Sequence, residues 1–358
     1  MRIASLLREV ARNVGSGTSQ ALTLFLVSAL TGTLLVAADT FTVRGLIAEA
    51  DAFRDRGAAI MTITAPGAVD GRSCASLRDA EGVLAAGAIR ARNDDLRLSV
   101  LPSIPVSAYE VTTGFPTLLA PEPEAIPSGV LLASEVAEQI GVMPGDAIST
   151  QEGPVELAAV YAYPSDGRRG GLNWAVLAPV PQDGVFDECW ASTWPPKDGL
   201  STLLNATIVA GAPQDDGPQI SQLNTTLGVH FNVPERYASR LTRYVPLVAV
   251  LGALALGWIA IRRRRLGIAS DMHAGLTRSD AVTQMLLEAS SWAIPAGAFC
   301  VSAAALFAAG LHVDELAAAL TNALRVAVAL TGGALLGTLL GTLAVRERHL
   351  FAYFKDRQ

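Results

Sequence analysis

The sequence predicts a membrane protein: four transmembrane α-helices with a large α+β extracytoplasmic domain inserted between helices 1 and 2. Three observations predict it. Apolar segments lie at 21–38, 245–261, 292–311 and 326–345; each is roughly 17–20 residues, the length a helix needs to cross a hydrocarbon core at 1.5 Å per residue. The chain is 51% hydrophobic and only 17% charged, against about 25% charged in ordinary soluble domains. The charges are also sorted by sign. Residues 44–243 hold 24 acidic and 14 basic side chains, while Arg2, Arg8 and Arg12, the run Arg262, Arg263, Arg264 and Arg265, and Arg346, Arg348, Lys355 and Arg357 flank the apolar segments. Lys and Arg collect on the cytoplasmic side of a membrane, so both termini and the loop before the third span are predicted inside, and the acidic insert outside.

Residues 1–20 read as a cytoplasmic amphipathic segment, and 21–43 as transmembrane helix 1. A basic start followed by an apolar stretch and Val36-Ala37-Ala38 also fits a cleaved signal peptide. Both stretches are long for one, and cleavage would remove one span of four, so the segment is expected to stay as an anchor. Arg outnumbers Lys 25 to 2, a bias that suggests a GC-rich bacterial genome. The expected location is therefore the bacterial cytoplasmic membrane, crossed several times.

Residues 44–242 read as the extracytoplasmic α+β domain. β-like runs occur at 59–64, 96–101, 106–112, 155–163, 174–180 and 203–209, and helical patterns at 74–84, 133–140 and 219–227. Their lack of regular alternation argues against a doubly wound sheet. The proline-rich stretch 102–127 is expected to be an ordered loop. Apolar residues at 43, 46, 47, 50 and 53 mark one face of a helix, and Pro234 suits the first turn of another. The first two spans are thus expected to continue outward as a stalk, or else these are ordinary surface helices.

Three cysteines are present. Cys74 and Cys189 lie in the insert, where an oxidising compartment permits a disulfide. Closing a loop of that length is worth roughly 4–5 kcal/mol in the chain-entropy account. Two distant free thiols are the alternative. Cys300, within a span, reads as a small core residue.

The remaining boundaries follow: transmembrane helix 2 at 243–262, a cytoplasmic loop at 263–291, transmembrane helix 3 at 292–311, a short outer loop at 312–324, transmembrane helix 4 at 325–345, and a cytoplasmic tail at 346–358. Within the inner loop a turn around Gly275 is followed by a helix at 279–290. Thr277 or Ser279 caps it and Asp280 stands in its first turn. Val282, Met285, Leu286 and Ala289 form one apolar stripe, which could meet a soluble partner or rest on lipid. Gly333, Gly337 and Gly341 recur every four residues, a small-residue face for close helix packing, either in a dimer or against a neighbouring span. Ser28 and Gly32 make a weaker one.

Several functions are excluded. No Gly-x-x-x-x-Gly-Lys-Ser/Thr loop is present, so the chain cannot itself be an ATPase, and there is no His-Glu-x-x-His or Gly-x-Ser-x-Gly. Four scattered histidines, His230, His273, His312 and His349, lack metal-ligand spacing. No ionisable residue sits mid-span, which argues against a proton-coupled transporter. No basic stripe suits nucleic acid, and the inner arginines are accounted for by membrane orientation and anionic headgroups.

The layout and the inner loop resemble the FtsX/MacB-type permeases of ABC transporters, the type VII or mechanotransmission group. In that family a basic run precedes an Ile-Gly-Leu-like step, a Gly-Ala-Thr-like turn and a helix ending in Leu-Glu-Ala. Here these appear as Arg262 to Arg265, Leu266-Gly267-Ile268, Gly275-Leu276-Thr277 and Leu287-Glu288-Ala289. The outer segment 129–137, followed by Gly141-Val142-Met143-Pro144-Gly145-Asp146, resembles the family's strand, helix and Gly-x-x-Pro-Gly-Asp turn. Arg265 stands where the family usually has Glu, and Ser270-Asp271-Met272-His273 is atypical. The resemblance implies a non-enzymatic permease, paired with a second copy or a homologous permease, docked on two cytoplasmic ATPase subunits that bind ATP and Mg. Gly275, Thr277, Ser279, Val282, Met285, Leu286 and Ala289 would form its ATPase-coupling helix. It would export or extract a peptide, lipid or lipoprotein, or transmit force to an envelope protein. A membrane-anchored receptor or sensor without an ATPase is the alternative.

Overall fold

The computed structural model describes residues 3–92, 94–100, 103–119, 129–151, 153–196, 199–212, 217–229, 231–310, 312–347 and 354. The proline-rich stretch lies partly outside them, as do His230 and His349. The chain forms two compact units, Met1–Leu46 with Glu235–Gln358, and Ile47–Pro234.

The first unit is helical. α1 (Ile3–Gly15) is amphipathic and buries Leu6 and Val10. α2 (Ala21–Asp55) is one unbroken helix of 35 residues, which joins the predicted first span to the helix expected after it. Nothing between Ala38 and Asp55 interrupts it: the stretch holds no proline, and its one glycine, Gly45, meets no neighbouring atom. The return to this unit is broken instead. α6 (Val233–Ser239) ends before Arg240, whose extended backbone (ψ 135°) precedes a 3-10 turn at Leu241–Tyr244. The second half of the expected stalk is therefore not a continuous helix.

α7 (Val245–His273), α8 (Arg278–Phe307) and α9 (Val313–Ala344) complete this unit. With α2, they supply four helices long and apolar enough to cross a membrane. The stretch predicted as an inner loop with one helix, 263–291, is helical on both sides of its turn. α7 runs straight through the arginine run to His273, and the predicted helix at 279–290 is the first part of α8. Only 274–277 links them. No breaker separates Ser290 from Trp292, and the helix continues past Pro295.

The second unit is built on a nine-stranded mixed sheet ordered β5-β6-β4-β7-β3-β2-β8-β1-β9. In chain order the strands are β1 (Ile60–Asp70), β2 (Val83–Ala91), β3 (Ser107–Thr112), β4 (Val130–Ala133), β5 (Ala147–Thr150), β6 (Gly153–Tyr161), β7 (Ala175–Val180), β8 (Val185–Thr193) and β9 (Gln219–Gln222). β3 pairs with β7 and β4 with β6 in parallel; the other neighbours are antiparallel. α3 (Gly71–Ser76), α4 (Ser134–Ile140) and α5 (Leu200–Asn205) pack around it.

Three local expectations are corrected. The pattern at 203–209 is no strand: it starts on the end of the helix α5, where Leu200 and Leu204, one turn apart, are buried, and then turns into an isolated bridge between Ile208 and Val69. The pattern at 219–227 opens as β9, which pairs from Gln219 with Thr64 to Gln222 with Met61. The helix expected at 74–84 is cut to α3 and one 3-10 turn, because Gly82 at φ 84° leads into β2. Behind β8, Cys74 and Cys189 are joined by a disulfide with Cα atoms 5.8 Å apart, in a cluster with Ile63, Val69, Ala88, Phe186 and Leu204.

Candidate coupling site

The exposed end of the α7–α8 pair is closed by a specific turn. The Leu276 N–H donates to Asp271 O and the Gly275 N–H to Met272 O, the paired bonds of a Schellman stop. Gly275 has φ +103°, a conformation that disfavours any Cβ. Thr277 then starts α8: its Oγ1 accepts from the Asp280 N–H at 3.2 Å and donates to Asp280 Oδ2 at 2.8 Å. Stop and start follow within four residues, which makes a tight tip held by hydrogen bonds on both sides of the turn. Gly275, Thr277 and Ser279 are exposed there.

The apolar stripe read from the sequence does not face outward as one surface. Met285 is 5% exposed and packs with Ile261, Ile268, Ala269 and Val345, while Ala289 is 3% exposed. Val282 and Leu286 are half-buried on the flanks. The seven residues thus separate into an exposed tip and a packed base. Periodicity showed that the helix has an apolar face but not what would cover it.

A buried polar centre stands at that base. Glu288, 3% exposed, accepts from Asn13 Nδ2 of α1 at 2.8 Å and from Gln284 Nε2 at 3.4 Å, and it pairs with Arg264 of α7. One carboxylate therefore ties α1, α7 and α8 together. A buried charge survives only when paired and hydrogen-bonded, and both conditions are met. The sequence showed Glu288 as part of Leu-Glu-Ala and Arg264 as one of four arginines. With 24 residues of separation between them, no local pattern marked the two as a pair. Nearby, His273 Nδ1 and Glu347 Oε1 lie 2.8 Å apart, joining the end of α7 to the segment after α9.

The glycine face of α9 is taken up inside the chain. A Cβ on Gly333 or Gly337 would strike the carbonyl oxygens of Val250 or Leu254, and one on Gly257 of α7 would strike that of Ala334. Gly341 faces Ile261 at 3.0 Å. Of the two readings of this face, the structure realises packing against a neighbouring span, and the two backbones meet reciprocally. Gly32 of α2 likewise faces Cys300 and Leu330.

At its far end α2 is clamped within the second unit. Arg168 donates to Asp55 O and, through Nε, to Asp166 Oδ1 at 3.1 Å. Asn224 Nδ2 donates to Arg56 O at 2.9 Å and to Asp166 O at 3.2 Å. Phe53 is buried against Trp194 and Phe231, at centroid distances of 6.3 and 5.3 Å. In the first unit, Arg240 Nε lies 3.3 Å from Asp39 Oδ1 of α2, and the guanidinium stacks 3.6 Å from the Tyr237 ring centroid. Both charges are almost wholly buried. Among the described residues no group of three or more His, Cys, Asp or Glu side chains is placed to hold a metal.

No protein-family description matches the chain, and no curated protein does. Solved structures that match include the periplasmic region of MacB from Actinobacillus actinomycetemcomitans, 8% identical, with 48% of this chain and 91% of that chain covered at a TM-score of 0.35.

Proposed function

We propose that this chain is the membrane-spanning permease subunit of a bacterial ABC transporter, which couples ATP hydrolysis by a separate ATPase to movement of its extracytoplasmic domain. The observation that carries this reading is the exposed, hydrogen-bonded tip around Gly275, held on a base that Glu288 locks to two other helices. Such a tip suits a part that receives force: it offers surface to a partner and has a stiff connection behind it.

On this reading the arginine-flanked ends are cytoplasmic, and the Cys74–Cys189 disulfide sits in the oxidising compartment outside. Two ATPase subunits, carrying ATP and Mg, press on Gly275, Thr277 and Ser279, with Val282 and Leu286 at the edge of the contact. The Glu288–Arg264 pair passes the movement to α7 and α1. The close α7–α9 contact makes those helices move as one. α2, unbroken to Asp55 and clamped there, carries the movement to the sheet domain. A second permease copy or a homologous permease completes the assembly, and its contacts use surfaces other than the glycine face of α9. The output is extraction or export of a peptide, lipid or lipoprotein, or force on an envelope protein.

Purification in mild detergent from the native host tests the assignment. A stoichiometric P-loop ATPase should accompany the chain, and Ser279→Glu should weaken that association while the chain stays folded. A preparation that carries a signalling kinase, or no ATPase under several detergents, would instead support a membrane receptor.

A further inference from the structure

A cleft of about 840 Å³ opens between the end of α1 and the middle of α7. Its α7 wall runs from Ile259 to Asp271 and takes in Arg262 to Ile268 without a gap; within it Ile259, Arg262, Arg263 and Leu266 stand at spacings of three, four and seven. Asn13 and Thr18 form the opposite side. The charges are unequal. Arg264 is neutralised by Glu288, and Glu9 on the rim pairs with Arg12. Arg265 already has a partner, and Asp271, also in the lining, is close enough to Glu9 and Arg264 to feel both charges. Arg262 and Arg263 are exposed and join no ion pair among the described residues. Each of these guanidinium groups suits a phosphate, which it can bind through paired N–H···O bonds. Ile259, 46% exposed, lies one turn back from the arginines toward the apolar stretch of α7. The cleft therefore joins a cationic end to an apolar one at the point where the helix leaves its hydrophobic stretch.

We propose that this cleft binds one anionic glycerophospholipid of the inner leaflet, with its phosphate on Arg262 and Arg263 and an acyl chain along Ile259. The proposal rests on the reading that α7 spans the membrane with its arginine run inside. A basic pocket at that depth is where anionic headgroups bind. The bound lipid bridges α1 and α7 beside the Glu288 centre and so stiffens the base of the coupling tip.

The full chain in nonionic detergent is melted, with tryptophan fluorescence as readout, after addition of phosphatidylglycerol, phosphatidylcholine or inorganic phosphate. A ligand that binds only the folded state raises Tm with concentration. Phosphatidylglycerol should raise Tm by several degrees and phosphatidylcholine should not. R262Q/R263Q should abolish the rise, and native mass spectrometry should count one retained lipid on the wild type and none on the variant. If the double variant does not fold, R263Q alone should reduce the retained lipid. Equal shifts with both lipids, or a shift that survives the substitutions, would overturn the site. A shift reproduced by inorganic phosphate would make it a soluble-anion site and overturn the lipid assignment. Carbonate extraction separates the two layers: a chain released by carbonate contradicts the spanning reading itself. A chain that resists carbonate but ignores phosphatidylglycerol contradicts only the lipid site.

Discussion

Glu288 has a geometry that makes its removal costly in a particular way. Its partner Arg264 is mostly buried, so Glu288→Ala leaves an uncompensated guanidinium. Breaking one half of a buried pair costs about 3–5 kcal/mol, whereas replacing both halves with apolar groups of similar size is often neutral. Glu288→Ala should therefore lower the melting temperature of the detergent-solubilised chain sharply, and Arg264→Met with Glu288→Leu should recover most of the loss. A double variant as unstable as the single one would mean that the helices are held by something else. A second prediction at this scale concerns Tyr161 and Tyr163. Their hydroxyls donate to Leu172 O at 2.8 Å and Arg169 O at 2.6 Å. Burial pushes both phenols up, Tyr163 to about 12, from about 10 in the unfolded chain. The folded state thus holds these protons more tightly. The stability they contribute is present below pH 10 and is lost as pH rises through 10 toward 12. Tyrosinate absorbance should show these two of the six tyrosines ionising last, together with loss of structure. Two early-titrating tyrosines among them would contradict the burial.

At the scale of elements, the α7–α9 contact depends on missing side chains. A Cβ on Gly337 would overlap the Leu254 carbonyl oxygen severely, while one on Gly341 would stand 3.0 Å from the Ile261 Cβ, a much milder clash. Overpacking a tight contact costs roughly 1–3 kcal/mol, so Gly337→Ala should lower Tm clearly more than Gly341→Ala. Equal effects would mean that the helices separate easily. What the sequence made legible here follows from where the information lies. The four long helices were readable because hydropathy and length alone define them. β3, β6, β7 and the start of β1 were readable as short runs containing Val, Ile, Thr or Tyr. β2 was not, because Val-Leu-Ala-Ala-Gly-Ala carries weak β preference and its place comes from pairing with β8. β8 itself was obscured by Asp187 and Glu188, whose charges are met by backbone N–H groups, Arg169 and Trp190 Nε1. The tip at Gly275 was legible as a turn and a cap. The Glu288 centre was not, since local patterns do not reveal pairing between distant helices.

For the whole molecule, the claim is that movement at the Gly275 tip reaches the sheet domain through α2. The two connections between the units differ: α2 is continuous, whereas the return path breaks at Arg240. An unbroken helix transmits displacement, and a break absorbs it. The Arg168 and Asn224 clamp should therefore respond to nucleotide even though it lies in the other unit from the tip. The direct measurement is hydrogen–deuterium exchange of the full chain co-purified with the proposed ATPase, with and without ATP. The account predicts altered exchange both at 274–280 and around the end of α2 near Phe53 and Asp55, with both changes lost in Ser279→Glu. ATP-dependent change at the tip, with unchanged exchange at the end of α2 and throughout the sheet, would contradict it.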